Sequence, residues 1–439
     1  MMEWNLFFDG WIIAIAATCA MACALPGCFL VLRKMSLMGD AISHAVLPGI
    51  AIGFLLTGSR SNGIMFIGAI IAGFLTAFFS QWLKRFGKVD EGAAMGVVFT
   101  ILFAIGLLLI VRGADSVELD PSCVLYGALE FAPLDLVTVG LLGGIEVPRA
   151  FLMVTAVLVM NLLILACFFK AFRIAAFDPA QAHVQGMRPG FMHHLLMGMT
   201  AITTVASFEA VGSIIVVSMI IVPAVCARLF ANRLMGMVAL SSILGILSAA
   251  IGHLGAVELP HVIGYGSIPT SGMIAVMSGG LLFIGVLVNP THGVIPKGVR
   301  RWRFRLQTTA EDLLALAWRL EERGGQASTR ILTHDLMLAR RLSRLEIGWS
   351  LRRLLSSDEL RRSKDGFVLT DRGRQRATTL IRSHRLWEAW LAKSAGLAPD
   401  HVHDTAMRLE HVTDAAMLEQ LAEETGTPTT DPHGRSIPK

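Results

Sequence analysis

The sequence predicts an all-α polytopic membrane domain of about eight or nine transmembrane helices, joined to a soluble domain that begins winged-helix-like and ends helical. Three observations predict it. Residues 1–297 form an almost unbroken series of apolar stretches, each near the roughly 20 residues that cross a bilayer. Lys297, Arg300, Arg301, Arg303 and Arg305 then open a segment rich in Arg and Glu. Hydrophobic residues make up 54% of the chain and charged ones 16%, so the mean hydropathy of +0.61 averages two different physical objects. One must satisfy its backbone inside lipid, which in practice means helices. The other must fold in water. The net charge of +5 is shared by membrane loops and a basic tail and singles out no partner.

Met1–Asp9 carries acids but no Lys or Arg, unlike the basic start of a cleaved signal peptide, so the first apolar run is read as a retained span. Spans are expected near 11–32, 41–57, 63–82, 92–111, 147–169, 193–207, 210–227, 235–255 and 270–289. Glu209 leaves open a single bent helix in place of the sixth and seventh. Arg33/Lys34, Lys84/Arg85/Lys88, Lys170/Arg173, Arg228/Arg233 and the Lys297–Arg305 cluster fall on alternate loops, which the positive-inside rule makes cytoplasmic. The loop 112–146 is acidic (Asp115, Glu118, Asp120, Glu130, Asp135, Glu146) and suits the outside. An odd span count then places the N-terminus outside and the soluble domain in the cytoplasm. His193, His194, Glu209, His253 and His261, near span ends, are read as hydrated interface residues. Of six cysteines only Cys123 lies away from the spans, and no CxxC pair occurs; Cys19 and Cys23, one turn apart, are read as helix packing.

Asp40 and His44 are i, i+4 and share one helix face. A carboxylate oxygen beside an imidazole nitrogen suits Mn²⁺, Zn²⁺ or Fe²⁺. Burying an ionisable group at the bilayer centre costs about 2.5–3.5 kcal/mol even on the lenient insertion scale. From spacing alone, two readings stand: an ion-binding pair, or two interface residues that merely pair with each other.

The surrounding residues add to this. Met35-Ser36-Leu37-Met38-Gly39-Asp40-Ala41-Ile42-Ser43-His44-Ala45-Val46-Leu47-Pro48-Gly49-Ile50-Ala51 closely resembles the signature of the permease subunits of bacterial ABC importers for zinc, manganese and iron. Asp90–Gly96, Phe177-Asp178-Pro179-Ala180-Gln181-Ala182 with Gly186, Val211–Val216 with Ile221–Ala224, and Tyr265–Gly272 follow in the family's order, so the resemblance covers about residues 5–295. It implies that Asp40 and His44 face the translocation path and touch the ion. It also implies that the loop of Phe177, Asp178, Pro179, Ala180 and Gly186 docks on an ATPase. Asp178-Pro179 reads equally as a helix N-cap followed by a first-turn proline. The chain has no GxxxxGK[ST] phosphate loop, so ATP-driven transport needs a separate ATPase subunit; a secondary transporter would lack the loop too.

In the soluble half, residues 298–307 are read as a basic linker, followed by a winged-helix-like region at 308–376. Thr308 or Thr309 is expected to cap an amphipathic helix over 308–322, stopped by Gly324-Gly325. Helical pattern continues through about 333–344 and 349–356. Glu359–Ser363 and Phe367–Thr370 around Lys364-Asp365-Gly366 suggest a two-strand wing. Arg340, Arg341, Arg344, Arg352, Arg353, Arg361 and Arg362 would suit phosphate contacts, or form a solvated face. Beyond the wing, His384 and Glu388 are i, i+4, and His403, Met407 and His411 form a stripe with Glu410 beside it. Metal ligation and a solvated polar face both fit that spacing.

Leu369-Thr370, Gly373, His384-Arg385-Leu386-Trp387-Glu388, His403, Glu410-His411 and Asp431–Pro438 resemble, in order and spacing, the diphtheria-toxin-repressor family of metal-dependent regulators, over about 308–439. The resemblance makes 377–439 a helical metal-binding and dimerisation region. It puts the ligands of two adjacent metal sites on Asp312, His384, Glu388, His403, Met407, Glu410 and His411. Asp312 is the manganese-type choice; Met407 stands where Cys or Glu is usual, and Ala315 replaces a further carboxylate. Ile331–Leu355 matches the family's helix-turn-helix poorly, which sets DNA binding apart from metal sensing. Together the two resemblances imply a multi-pass permease subunit of the bacterial inner membrane with a cytoplasmic metal-sensing domain. The cargo is a divalent transition metal, Mn²⁺ before Zn²⁺ or Fe²⁺. The partners are a separate ATPase, a second permease subunit and an extracytoplasmic metal-binding protein. The alternative is a membrane-tethered or proteolytically released metal-dependent repressor.

Overall fold

The structure, a computed structural model, describes residues 6–35, 37–57, 62–113, 129–139, 145–264, 268–322, 343–363 and 366–438. The chain divides into two compact units, Met1–Ile295 and Pro296–Lys439.

The described residues of the first unit form α1 (Leu6–Leu32), α2 (Leu37–Thr57), α3 (Asn62–Gly87), α4 (Glu91–Gly113), α5 (Arg149–Phe177), the short α6 (Pro179–Val184), α7 (Pro189–Val211), α8 (Ser213–Phe230), α9 (Leu234–Ile263) and α10 (Thr270–Val288). Eight of these helices are long and apolar enough to cross a bilayer; α7, with paired histidines and a run of Thr and Ser, is not among them. The centre of the bundle is α1, which packs against α5, α7, α8 and α9 and buries Ile15, Phe29 and Leu30 completely. Lipid offers no hydrophobic drive between helices, so close packing and polar ties must hold them. Gly49 of α2 and Gly68 of α3 meet so closely that a methyl group on either would strike the other's carbonyl. Buried Asn161 of α5 donates to Thr203 of α7 at 2.7 Å and to the Ala22 carbonyl of α1 at 3.3 Å. The rim of α3 and α4 exposes Phe78, Phe79, Trp82, Ile101 and Leu108, as a lipid-facing surface must.

In this unit one open alternative closes and one expectation changes. Gly212, at φ +85°, divides α7 from α8, so there is no single bent helix. In the acidic stretch 112–146, β1 (Leu136–Val139) pairs antiparallel with β2 (Ile145–Pro148), short runs whose β-branched residues suit strands. Glu130 in the same loop accepts a 2.8 Å bond from the Thr270 amide, satisfying a donor at the start of α10. His253 is not a hydrated interface residue; it is 2% exposed and lies 3.0 Å from Asp9 of α1. The side chains of Glu209 and His261, and residues 265–267, lie outside the described residues. Cys19 and Cys23 pack in the α1 interior with sulfurs 4.0 Å apart.

From Pro296 on, the second unit holds most of α11 (Val294–Glu322), then α12 (Arg344–Ser356), β3 (Leu360–Ser363), β4 (Gly366–Leu369), α13 (Asp371–Lys393), α14 (Pro399–Leu409), a 3-10 turn at Glu410–Val412 and α15 (Ala415–Thr425). Residues 298–307 are therefore helix, not linker. Thr308 does not cap: its hydroxyl bonds back to the Arg305 carbonyl at 3.0 Å within a continuing helix. Ser343 and Glu346 form a capping box at the start of α12. The wing is present as an antiparallel pair with Arg361 opposite Val368; its tip, 364–365, and the pattern at 323–342 with Arg340 and Arg341 lie outside the described residues. Leu313, Leu314, Ile347, Leu354, Leu360 and Phe367 close the core between α11, α12 and the wing.

Candidate metal centres

In the membrane unit, Asp40 and His44 lie one turn apart on α2, Nε2 to Oδ1 3.5 Å, and each remains about a third exposed (38% and 37%). That face is open in the single chain, whereas Met38, Ile42, Ala45 and Val46 bury the opposite one. The His44 ring stacks on Phe99 of α4 and meets Phe103 edge-on, which holds its position. Pro48, with no N–H, cannot donate the helical bond that would otherwise engage the His44 carbonyl. A carboxylate–imidazole pair therefore sits on a helix face that the single chain leaves partly exposed.

Between α5 and α7, Asp178 caps α6 by accepting from the Gln181 amide at 2.9 Å, with Pro179 in the first turn. Gly186, at φ +76°, ends it. Phe177 and Val184 stay exposed while Ala182 is buried, so the short helix presents an apolar edge from a fixed base.

Among the described residues, buried ionisable side chains cluster in the second unit. Gly373 lets α13 pass over the strand base, where a side chain would strike the Glu359 carbonyl. That helix buries His384 and Glu388. Nε2 of His384 and Nδ1 of His403 converge on Oε1 of Glu388 at 3.0 and 2.8 Å and stand 3.1 Å from each other. The stripe of His403, Met407 and His411 does not run on as one helical face, because α14 ends at Leu409 and the chain tightens into the 3-10 turn. His403 consequently joins the first group, and Glu410 and His411 swing to Asp312 of α11. His411 Nε2 is 3.3 Å from Asp312 and 3.5 Å from Glu410. Glu410 ties the groups together, its other oxygen 2.6 Å from His384 Nδ1. Met407 is half-buried one turn beyond His403.

Each trio offers ligand atoms within 4.8 Å of one another. Buried carboxylates and imidazoles in such numbers repel or titrate unless a cation or protons compensate them. Burial pulls the His411 ring down, but the nearby Asp312 and Glu311 carboxylates outweigh it and raise it to about 9. Burial pushes Glu388 up, and the bonds from His384 and His403 bring it down to about 2. Nε2 of His411 is buried without a well-formed hydrogen bond and faces two carboxylates, the geometry expected of a ligand nitrogen. Nitrogen and carboxylate donors without sulfur match the Mn²⁺-to-Zn²⁺ range.

Two neighbours escaped the sequence reading. Glu311 accepts from His411 Nδ1 at 2.8 Å and is held by Arg376 at 2.8 Å, which also grips Glu359 of the strand base. Its only signal was adjacency to Asp312. His433 lies 3.9 Å from Glu388, visible in sequence merely as part of the closing motif.

Residues 5–289 match the ABC 3 transport family. The chain belongs to that family. Residues 370–439 match the iron dependent repressor, metal binding and dimerisation domain. The manganese transport system membrane protein MntD of Bacillus subtilis is 43% identical over 294 residues, 67% of this chain and 96% of that one. The zinc transport system membrane protein TroD of Treponema pallidum is 35% identical over 338 residues, 76% and 89% of the two chains. Among solved structures, PsaBC from Streptococcus pneumoniae in complex with Fab aligns at a TM-score of 0.54 and 30% identity, covering 65% of this chain and 93% of that one. This permease therefore carries a repressor-type domain on its C-terminal side.

Proposed function

We propose that the chain is the permease subunit of an ATP-driven importer of a divalent transition metal, with Mn²⁺ favoured over Zn²⁺ and Fe²⁺. In this reading its second unit binds the same class of ion and regulates transport. The observation that carries the reading is the pair of clusters joined through Glu410, on the same chain as a family permease whose α2 exposes Asp40 and His44. In the membrane, Asp40 and His44 would touch the passing ion. Their open face would be completed by a second permease subunit, copy or homologue. A separate ATPase would dock on α6 through Phe177, Asp178, Pro179, Ala180 and Gly186, and an extracytoplasmic metal-binding protein would deliver the ion. With α7 taken as a ninth crossing, α6 and the second unit would share the cytoplasmic side of a bacterial inner membrane.

In the second unit, His384, Glu388 and His403 would hold one ion, and Asp312, Glu410 and His411 the other, with Met407 a further candidate ligand. A bound ion supplies the positive charge that these carboxylates lack. The chain's own contribution is to fix ring orientation: Glu311 holds His411 Nδ1, so Nε2 faces inward. Binding free energy that differs between two transporter states would bias their equilibrium and give feedback. The exposed arginines of α12 and the wing leave DNA as a further ligand of this unit.

The test is reconstitution. Proteoliposomes with the cognate ATPase should take up Mn²⁺ with ATP and fail without it, Zn²⁺ and Fe²⁺ serving as competitors. Uptake that persists without ATP or the ATPase would make the chain a secondary transporter instead.

A further inference from the structure

The start of α11 has a surface that metal transport and sensing leave unexplained. Only residues 289–293 separate it from the end of α10. Within the first unit, that segment is held by hydrogen bonds. Asn289, 2% exposed, donates to the Leu229 carbonyl at the end of α8 at 2.5 Å. Its own side-chain oxygen accepts from the amides of Thr291 and His292 at 3.0 and 2.7 Å. Gly293 bonds back to the Asn289 carbonyl at 2.8 Å, at a place where any side chain would strike that carbonyl. These bonds order residues 289–293, and the chain is helical again from Val294.

On that first stretch Ile295, Val299 and Trp302 recur at i, i+4 and i+7, all exposed (52%, 40% and 48%). Exposed Lys297, Arg300, Arg301, Arg303 and Arg305 interleave with them, and no Asp or Glu occurs from Asn289 to Ala310. The apolar surface continues onto α12: Trp302 meets Trp349 edge-on at 6.3 Å, and Leu345 beside it is 75% exposed. Arg305 pairs with Glu346 at 2.9 Å and so joins the two helices. Exposed tryptophans and leucines on a water-facing helix are costly unless something apolar covers them. Basic residues around an apolar stripe, next to a span, match a bilayer interface, where Trp sits at headgroup depth and cations meet anionic phosphates.

We infer that Ile295, Val299, Trp302, Leu345 and Trp349, ringed by the basic residues of 297–305, form a surface that lies on the anionic lipid leaflet where the chain leaves its last span. The second unit is then held to the membrane by lipid charge. Lipid composition becomes a determinant of how firmly that unit is seated. Phosphate contacts of the same arginines with DNA would leave the tryptophans and Leu345 without a hydrophobic partner, which is why lipid is favoured.

The experiment uses the full-length chain, free of native cysteines and spin-labelled at Val299→Cys. It is placed in nanodiscs of phosphatidylglycerol, in nanodiscs of phosphatidylcholine, and in detergent. In phosphatidylglycerol the label should lose access to a water-soluble nickel quencher and gain access to oxygen. Phosphatidylcholine discs, high salt, or the triple variant Arg300→Gln, Arg301→Gln and Arg303→Gln should restore access to the nickel complex. A label open to nickel in all discs overturns the inference. So does one equally shielded in detergent, which would mean a protein contact. As a check on the wild-type chain, brominated phosphatidylglycerol should quench its tryptophan fluorescence more than it quenches the Trp302→Phe, Trp349→Phe variant. Equal quenching would also count against a lipid-seated surface.

Discussion

Glu410→Gln is the most informative single change in the second unit, because it keeps the side chain's size and removes a charge that both clusters share. One Glu410 oxygen lies 2.6 Å from His384 Nδ1 and the other 3.5 Å from His411 Nε2. At metal one hundred times above its dissociation constant, each bound ion stabilises the folded state by about 2.7 kcal/mol. Loss of a carboxylate that ligates or orients a ligand costs about 10–100-fold in affinity. At the same metal concentration the gain then falls to about 1.4 or 0.4 kcal/mol. For a unit the size of Pro296–Lys439, about 3 °C of melting temperature accompanies each kcal/mol. The rise contributed by each site, about 8 °C, should thus shrink to about 4 °C or about 1 °C. The assay is calorimetric melting of the 296–439 fragment with and without Mn²⁺, each variant referenced to its own metal-free melt. An undiminished rise in Glu410→Gln would refute the shared-carboxylate argument. A loss confined to one of two binding steps in a titration would place Glu410 in one cluster only.

Three further outcomes are expected. Asp40→Ala or His44→Ala should abolish uptake while the ATPase still co-purifies; normal uptake by both removes the pair from the path. A cysteine at Gln181 should crosslink to the ATPase, and its labelling by an impermeant reagent from outside would overturn both the docking and the orientation. Metal affinity of the second unit should rise with pH. His411, raised to about 9, holds a proton below that value which the ion must displace, whereas Glu388, lowered to about 2, is already ionised. One displaced proton gives roughly a tenfold gain per pH unit up to about pH 9 and a plateau above it; a flat titration between pH 6 and 8 would mean His411 is not a ligand.

Most of the architecture was legible in the chain itself. Transmembrane helices announce themselves because lipid forces about 20 consecutive apolar residues and intrasegment hydrogen bonds. The wing was readable from two short strands about a tight turn, and the cap of α6 from Asp178-Pro179, because both depend on neighbours in sequence. The basic linker was misread for the same reason: charge pattern reports exposure, not backbone state, and α11 runs through it as an exposed helix. His253 was misplaced because its partner, Asp9, is far away in sequence.

The candidate metal residues divide along the same line. Residue identity and spacing suffice to say which donor types are available and that His384 and Glu388 share a helix face, since i, i+4 spacing fixes that geometry. Their grouping depends on how the folded chain packs. The end of α14 at Leu409 splits the stripe of His403, Met407 and His411, sending His403 to α13 and His411 to Asp312 of α11. Glu410 between them spans both groups, and Glu311, unremarkable in sequence, becomes the group that orients His411. Contacts between α11, α13 and the 3-10 turn join residues about a hundred positions apart, as in the Glu311–His411 pair. No local periodicity encodes such a meeting. It follows from which apolar faces bury against each other, and that is settled only when the whole core closes.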